Sequence, residues 1–545
     1  MTSKSFLWIM CTIPPMYRFF VLEYPTNAGA VVSGLATPSV ELRGPAGEVP
    51  RPRDVHVPVH HNKYVSAFSW PPRFFDGGQE RFSRNWENSP FVESLMKKNA
   101  RELGENDISI FLRTEENWAP DQYRIDCVLD VTREATIKKL LDRDASAQKE
   151  KIALLIDGNT SGPEPHLRGF LGGLSAQDLY DELSKKRYRE DDDPGIVDAD
   201  RRLIYVANLD ACGIMALVGT SSESLFRVLG DFILNYICAN PSIGVYFPTE
   251  GPETFVMQFS FPFRVWRTTT ELMNDTRKSA AAGSTLRLSR DVTFLRHLAD
   301  SEDNSATTDG IYATNISCMV TGYDQTRWTG LVFLETWFDE VLEDPSPDMV
   351  TRYENDFSDG ILFDPLCRGK VDATKSKWSP RPYFINVLAV RIVQVHQEWA
   401  SLLYHLTQRM TDLRKVLEKY DEHENGPRSF KEICSELAQV LQEFVRSGDL
   451  FMKTDVLYFR NYDEPSDDAS ICFPYLTQIR NTFTNLEQLR QRLGDMQEKC
   501  KEMVEEVSSV PPPAIEYCDT SSPFCQSLGV DHHLNASADN HCYFI

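Results

Sequence analysis

Two periods of apolar residues divide this chain. Up to about residue 340, short runs alternate between the two-residue period of strands and the roughly 3.6-residue period of helices. Beyond about residue 380 a four-three spacing takes over and is sustained. In the first stretch, Ile108–Leu112 and Ile125–Val131 read as strands, followed by a helical turn over Ala135–Leu141. Ser175–Arg187 reads as a helix with Leu179 and Leu183 on one face, and Leu203–Ala207 as an apolar strand. Ser222–Cys238 has helical spacing through Leu225, Leu229, Phe232 and Ile233. Two strand pairs follow, Ile243–Phe247 with Thr254–Phe263 and Ala313–Gly322 with Trp328–Thr336. Strands alternating with helices predict an α/β or α+β domain over residues 89–340. Its start is set at Ser89-Pro90, where Ser suits a helix cap and Pro the first helical position.

The second stretch predicts a bundle of long antiparallel helices over 381–508, coiled-coil-like in its spacing. The first helix runs from Tyr383 to about Tyr420, through Leu388, Ile392, Val395, Trp399, Leu402, Leu406, Met410, Leu413 and Leu417. One extra step of four, Leu406 to Met410, is a stutter in the heptad. A second helix follows Ser429, through Ile433, Leu437, Val440 and Phe444. A third runs from about Pro474 to Val507. The first seam is longer than a helix over Ser429–Val445 can cover. Self-association of this region, giving a homo-oligomer through residues 381–508, is therefore expected. The flanking pieces read differently. Residues 1–88 are rich in Pro and predict a disordered arm, 341–380 a linker, and 509–545 a disordered tail after Pro511-Pro512-Pro513.

Composition narrows the function. The chain has 545 residues with 57 basic and 80 acidic side chains, a net charge of −23. Such a surface repels phosphate backbones, so no nucleic-acid partner is expected. Twelve cysteines spread along a chain of this length do not make a disulfide scaffold and suit a reducing compartment. Phe6–Leu22 is the longest apolar run, but Pro14-Pro15 and Arg18 break it, so no membrane span is expected. The chain as written thus reads as cytoplasmic.

Candidate chemistry is sparse. No phosphate loop, nucleophile elbow, zinc-protease helix or Cys-x-x-Cys pair is present, and no enzyme is expected. His56, His60 and His61 lie in a Pro/Val segment without ligand spacing. Cys518, Cys525, His532, His533, His541 and Cys542 are zinc-type ligands, but their spacings fit no compact finger. Asp191, Asp192 and Asp193, with Asp198 and Asp200, offer hard oxygens for magnesium or calcium; the competing reading is a solvated acidic loop. Asp191 and Asp193 are the candidate metal carboxylates. No cofactor is expected beyond weakly held magnesium. Cys542-Tyr543-Phe544-Ile545 has the Cys position of a prenylation box, with aromatic residues at both middle positions and no basic run upstream. Four glycosylation triplets start at Asn159, Asn274, Asn315 and Asn535.

A run of motifs between about residues 175 and 508 adds a resemblance. They are Arg202-Leu203-Ile204-Tyr205-Val206-Ala207-Asn208-Leu209-Asp210, Ser242-Ile243-Gly244-Val245, and Phe255–Phe263 ending Phe261-Pro262-Phe263. Arg290-Asp291-Val292-Thr293-Phe294-Leu295, Ile316–Asp324 and Arg327-Trp328-Thr329 follow, then Trp378–Phe384 and Arg391–Trp399. Together they resemble a family of filamentous-fungal proteins described as CorA-like magnesium transporters. That resemblance implies a cytosolic α/β domain, long stalk helices, and two membrane helices close to the C-terminus, with a Gly-Met-Asn signature in CorA proper. This sequence departs from it after Val507, where neither an apolar span nor Gly-Met-Asn follows. Two explanations stay open: loss of the spans, or an incomplete reading of the gene's end.

The resemblance implies the cytosolic portion of a divalent-cation transporter, lacking the transmembrane helices and not transporting by itself. Membrane contact would come only through restored spans or a partner. The alternative is a soluble coiled-coil interaction or scaffold protein derived from the same fold.

Overall fold

The computed structural model describes residues 69–75, 82–93, 107–112, 122–133, 135–144, 147, 150–159, 166–168, 172–189, 197–249, 251–279, 283–297, 307–339, 349–360, 362–373, 379–417, 425–460 and 467–509. All of them belong to one compact unit. The helices before the sheet are α1 (Arg84–Asn88), α2 (Asp107–Leu112), α3 (Gln122–Thr132) and α4 (Ile137–Leu141). Then come β1 (Ala153–Asn159), β2 (His166–Arg168), α5 (Ala176–Leu183), β3 (Arg201–Ala207), α6 (Ala211–Thr220) and α7 (Glu223–Ile237). The chain continues through β4 (Ser242–Tyr246), β5 (Phe255–Thr269), β6 (Ser289–Asp291), α8 (Phe294–His297), β7 (Thr308–Gly322) and β8 (Trp328–Leu334). It ends in α9 (Met349–Ser358), α10 (Pro380–Leu417), α11 (Asn425–Lys453) and α12 (Asp468–Ser509).

The strands form one mixed sheet in the order β2-β1-β3-β8-β7-β5-β4. β3 and β8 run parallel, Arg201 opposite Trp328 and Ala207 opposite Leu334; the other pairs are antiparallel. β6 pairs with Gly310–Tyr312 of β7, continuing the lane that β8 leaves beyond Ile316. Pro262 sits within β5, yet β4 stops opposite Ser260, so β5 has only β7 beside it there. The β4 edge is blunted by Asp455, whose carboxylate accepts from the Val245 amide at 2.9 Å.

Alternation along the strands sorts the side chains into two cores. Leu203 and Tyr205 of β3, Met257, Phe259, Phe261 and Phe263 of β5, and Trp328 of β8 face the layer of α10–α12. Ile204, Val206, Val256, Met319, Leu331 and Phe333 face the layer of α2–α7. The molecule is a helix–sheet–helix sandwich with long C-terminal helices. Consecutive long helices reverse direction, as expected. Phe444 of α11 meets Phe483 of α12 with ring centroids 5.9 Å apart, while Arg381 at the start of α10 bonds Asp468 at the start of α12 at 3.0 Å. The first and third helices therefore run parallel, with α11 antiparallel to both.

Several expectations change. Ile108–Leu112 and Ile125–Val131 are helical, within α2 and α3. Both are too short to show a period decisively, and they turn their apolar side chains onto the α7 side of the sheet rather than into it. The second long helix extends to Lys453, and Leu388, Leu402, Leu406 and Leu413 of the first are covered within one chain. The uncovered seam that motivated self-association is therefore filled from inside the fold.

The Pro-rich stretch also differs at its end. Trp70 and Phe74 are buried, 5.3 and 5.5 Å from Phe255, and Arg381 lies over the Trp70 ring at 5.0 Å. The stretch between the strands and the long helices contributes to the core as well. Asp364 accepts from the Tyr383 hydroxyl at 2.8 Å, and Arg391 donates to the carbonyls of Pro365 and Leu366. The pattern change near 340–380 thus marks a change of layer inside one packed unit.

One turn fixes the β7–β8 hairpin. A Cβ on Gly322 would stand 2.3 Å from the Arg327 carbonyl oxygen and 2.6 Å from Trp328 Cα. Gly322→Ala is expected to cost about 1–3 kcal/mol, because backbone on both strands would have to move. Urea denaturation of the purified variant measures this, and an unchanged midpoint would contradict it.

Candidate functional site

The residues nominated for chemistry fall mostly elsewhere. Asp191, Asp192, Asp193, Cys542 and the remaining tail and arm ligands, His56 to His61 and Cys518 to His541, lie outside the described residues, as does Phe6–Leu22. Of the acidic run, Asp198 accepts from the Arg189 amide at 2.6 Å and from Arg84 at 3.2 Å, while the Asp200 carbonyl accepts from Arg187 at 2.8 Å. Both serve the fold. Among the described residues no group of three His, Cys, Asp or Glu side chains could hold a metal ion. No helix among them is long and apolar enough to cross a membrane. The Asn315 triplet is closed to glycosylation in the folded chain, since its side-chain amide is fully buried and donates to the Tyr236 carbonyl, Ser260 and Ser317.

The polar centre nearest to a site lies where β3 and β8 begin and β7 ends. Ser83 caps α1, accepting from the Trp86 amide, and this short helix projects Glu87 inward. The carboxylate is 4% exposed. One oxygen accepts from the Tyr323 hydroxyl at 3.2 Å, Ser222 at 3.3 Å, and Ser224; the other faces an Arg187 nitrogen at 3.4 Å. Ser222 and Glu223 open α7, so the negative charge also meets the positive end of a 15-residue helix.

Arg187 uses its remaining donors on Thr329 and on the carbonyls of Ala199, Asp200 and Trp328. Asn88 exchanges two hydrogen bonds with the Tyr188 backbone. Beside Glu87 are two cavities of about 20 and 30 Å³. Each has room for one or two waters, and drug-sized ligands need about 300 Å³ or more. Burial raises the Tyr323 and Tyr188 phenols. With these donors committed, the arrangement anchors α1 to the ends of the central strands. It offers no free nucleophile or base.

A second polar cluster lies at the other end of β8, about 23 Å away at the usual strand rise. Glu335 is wholly buried between two arginines. Arg287 donates from Nε to both carboxylate oxygens at 3.0 Å; Arg277 reaches one of them at 3.0 Å and also forks onto Asp275 at 2.8 Å. Arg277 further meets the Tyr236 hydroxyl at 2.6 Å, and the Asn315 backbone amide donates to Glu335 at 2.8 Å. Burial pushes the Glu335 carboxyl up, but the two guanidinium groups outweigh it and hold it below the ordinary range.

Arg202, inside β3, and Asp210, three residues beyond its end, turn out to be anchors. Arg202 forks onto Asp157 at 2.8 Å, and Asp210 caps α6 through the Gly213 amide at 2.7 Å. Trp328 is buried 4.8 Å from Tyr383, and Trp399 lies in the α10 core. Sequence reading missed Glu87, Arg187, Glu335, Arg277 and Arg287. The one available signal was charge beside an apolar strand, as at Arg201-Arg202 and Glu335, which must be paired if the strand is central.

No protein-family model matches the chain, and no curated protein matches it. Among solved structures it is similar to the ZntB cytoplasmic domain from Vibrio parahaemolyticus, at 7% identity and a TM-score of 0.29, over 66% of this chain and 98% of that one.

Proposed function

We propose that this chain is the cytosolic portion of a CorA-like divalent-cation transport protein, non-enzymatic, and that it moves no ions by itself. The observation that carries the reading is the meeting of its motif segments. Trp328 from the hairpin motif packs on Tyr383 of the Trp378–Phe384 motif, and Phe259 of the β5 motif lies 6.0 Å from Phe384. Glu398 of the Arg391–Trp399 motif bonds Arg267, just beyond the β5 motif and 131 residues away in sequence, at 2.8 Å. Distant segments thus build one sheet–helix joint, which suits a shared fold signature. Anionic surface charge, −23 in all, supports cation accumulation near such a domain.

A second reading, an interaction or scaffold protein, is favoured by exposed Leu450 and Phe473 near the α11–α12 connection, 57% and 60% exposed. Melting curves separate the two. The transport-related reading expects magnesium to raise the melting temperature more than sodium at matched ionic strength, because binding to the folded form adds stability, about 2.7 kcal/mol at 100 times the dissociation constant. Loss of the extra rise in the double variant Asp191→Asn with Asp193→Asn would locate the ion. Equal shifts would mean screening alone and would favour the scaffold.

A further inference from the structure

We propose that His405 is a proton-operated clasp, holding the second half of α10 on the β5–β7 ribbon while neutral and releasing it when charged. Beyond Ser260 the sheet narrows: β4 has ended, β8 stops opposite Ile316, and β5 has only β7 beside it. There α10 is tied down by polar contacts along one line of its surface. Glu398, His405 and Arg409 lie within about 40° of one another around the helix axis, at 3.6 residues per turn. Glu398 accepts from Arg267 at 2.8 Å. The His405 imidazole lies flat on the Trp266 indole, with ring centroids 5.2 Å apart and planes 10° from parallel. Arg409, one turn on, donates to Asp309 at 2.9 Å. Thr268, two residues after Trp266 and opposite Asp309 across the ribbon, donates to the same carboxylate at 2.7 Å. Asp309 and Trp266 are buried, whereas His405 is only half-buried and open to solvent protons.

The charges around this stack resist a further cation. Asp309 is already shared by Arg409 and by Arg296 of α8, the latter at 2.6 Å. Arg267, next to Trp266 on β5, is balanced by Glu398 and by Asp339 at 2.9 Å. A charged His405 is thus a third cation around one carboxylate, one turn before Arg409, where like charges repel. Burial holds the imidazole below its ordinary value, Asp309 pulls it up, and Arg409 pushes it down. The indole face attracts a cation as well, and the clasp requires burial and the arginines to outweigh it. The contribution of neutral His405 is therefore present above the unfolded imidazole's value and is lost as pH falls through the folded one. Release stays local, because the aromatic joint at the start of α10, Phe384 on Phe259 and Tyr383 on Trp328, contains no imidazole.

The test uses the full chain with isotope-labelled histidine, titrated by NMR between about pH 8 and pH 5. The imidazole resonance missing in His405→Gln identifies the residue. It is expected to titrate below free histidine, and to move up in Arg409→Gln, where one cation has been removed. Hydrogen exchange, corrected for the intrinsic rate at each pH, should show a severalfold loss of protection over residues 400–417 and 263–269 on acidification. Residues 380–395 should keep theirs, and the loss should be absent in His405→Gln. An imidazole titrating at or above the free value, a loss that persists in His405→Gln, or one spread evenly along α10 would overturn the clasp. If His405→Gln fails to fold, Arg409→Gln and the exchange pattern of the unaltered chain decide. No imidazole moving up in Arg409→Gln then counts against it.

Discussion

Glu335→Gln is expected to remove about 3–5 kcal/mol of folding stability, although the substitution barely changes volume. Among the described residues, Glu335 is the only carboxylate that the Arg287 side chain bonds, and one of two that meet Arg277. Taking away its charge leaves two guanidinium groups facing each other where water does not reach. The amide can still accept one hydrogen bond, yet its own N–H groups would face those donors. Urea denaturation of both forms at neutral pH measures the loss. A change below about 1 kcal/mol would mean that the cluster is water-filled or already neutral.

The same residue sets a pH dependence. Its folded-state carboxyl is held below the unfolded value, so its contribution is present at neutral pH and disappears as pH falls through the folded value. The Gln form should lose less stability on acidification than the natural chain. Asp364 runs the other way. Burial raises its carboxyl, so its contribution is present at low pH and is lost as pH rises through its folded value.

Leu402→Asp is expected to cost about 3–5 kcal/mol, enough to unfold a marginal domain. Leu402 is wholly buried on the inner face of α10 with Leu403 and Leu406, inside an apolar cluster where a carboxylate would lose its water. Tyr404, two residues on, is 60% exposed. Tyr404→Asp should stay within about 0.5 kcal/mol, as surface changes usually do. The pair of variants tests which face of the helix is covered. Equal effects would contradict the packing of α10 as the third layer.

Much of this fold was legible because one pattern dominated locally. The four-three spacing from Leu388 onward could only be a helix, and Phe255–Phe263 alternates cleanly enough to be a strand. The failures have common physical causes. α6, with Ile214, Met215, Leu217 and Val218, is buried on nearly all sides, so it shows no polar face for a period to stand against. Ile108–Leu112 is an apolar run short enough to fit either element, and its core partners on α7 lie far along the chain. Trp70 and Phe74 were hidden by the prolines around them, although an aromatic pair beside Pro71-Pro72 is costly to leave in water.

The polar centres were harder still. Glu87 meets Arg187 across 100 residues, and Glu335 meets Arg287 across 48. Such pairs are set by which strand ends the topology brings together, and no local spacing announces them. Asp191 and Asp193 were chosen because they are close in sequence. The described carboxylates that do converge, Asp275 with Glu335 on Arg277, are 60 residues apart.

Magnesium flux from liposomes reconstituted with the full purified chain tests most directly the proposal that this chain moves no ions alone. A continuous polar path through a bilayer needs spanning helices or a closed barrel. Release of trapped magnesium is expected to be no faster than from protein-free liposomes. Release that rises with the amount of chain added, and is blocked when the chain is unfolded first, would contradict it.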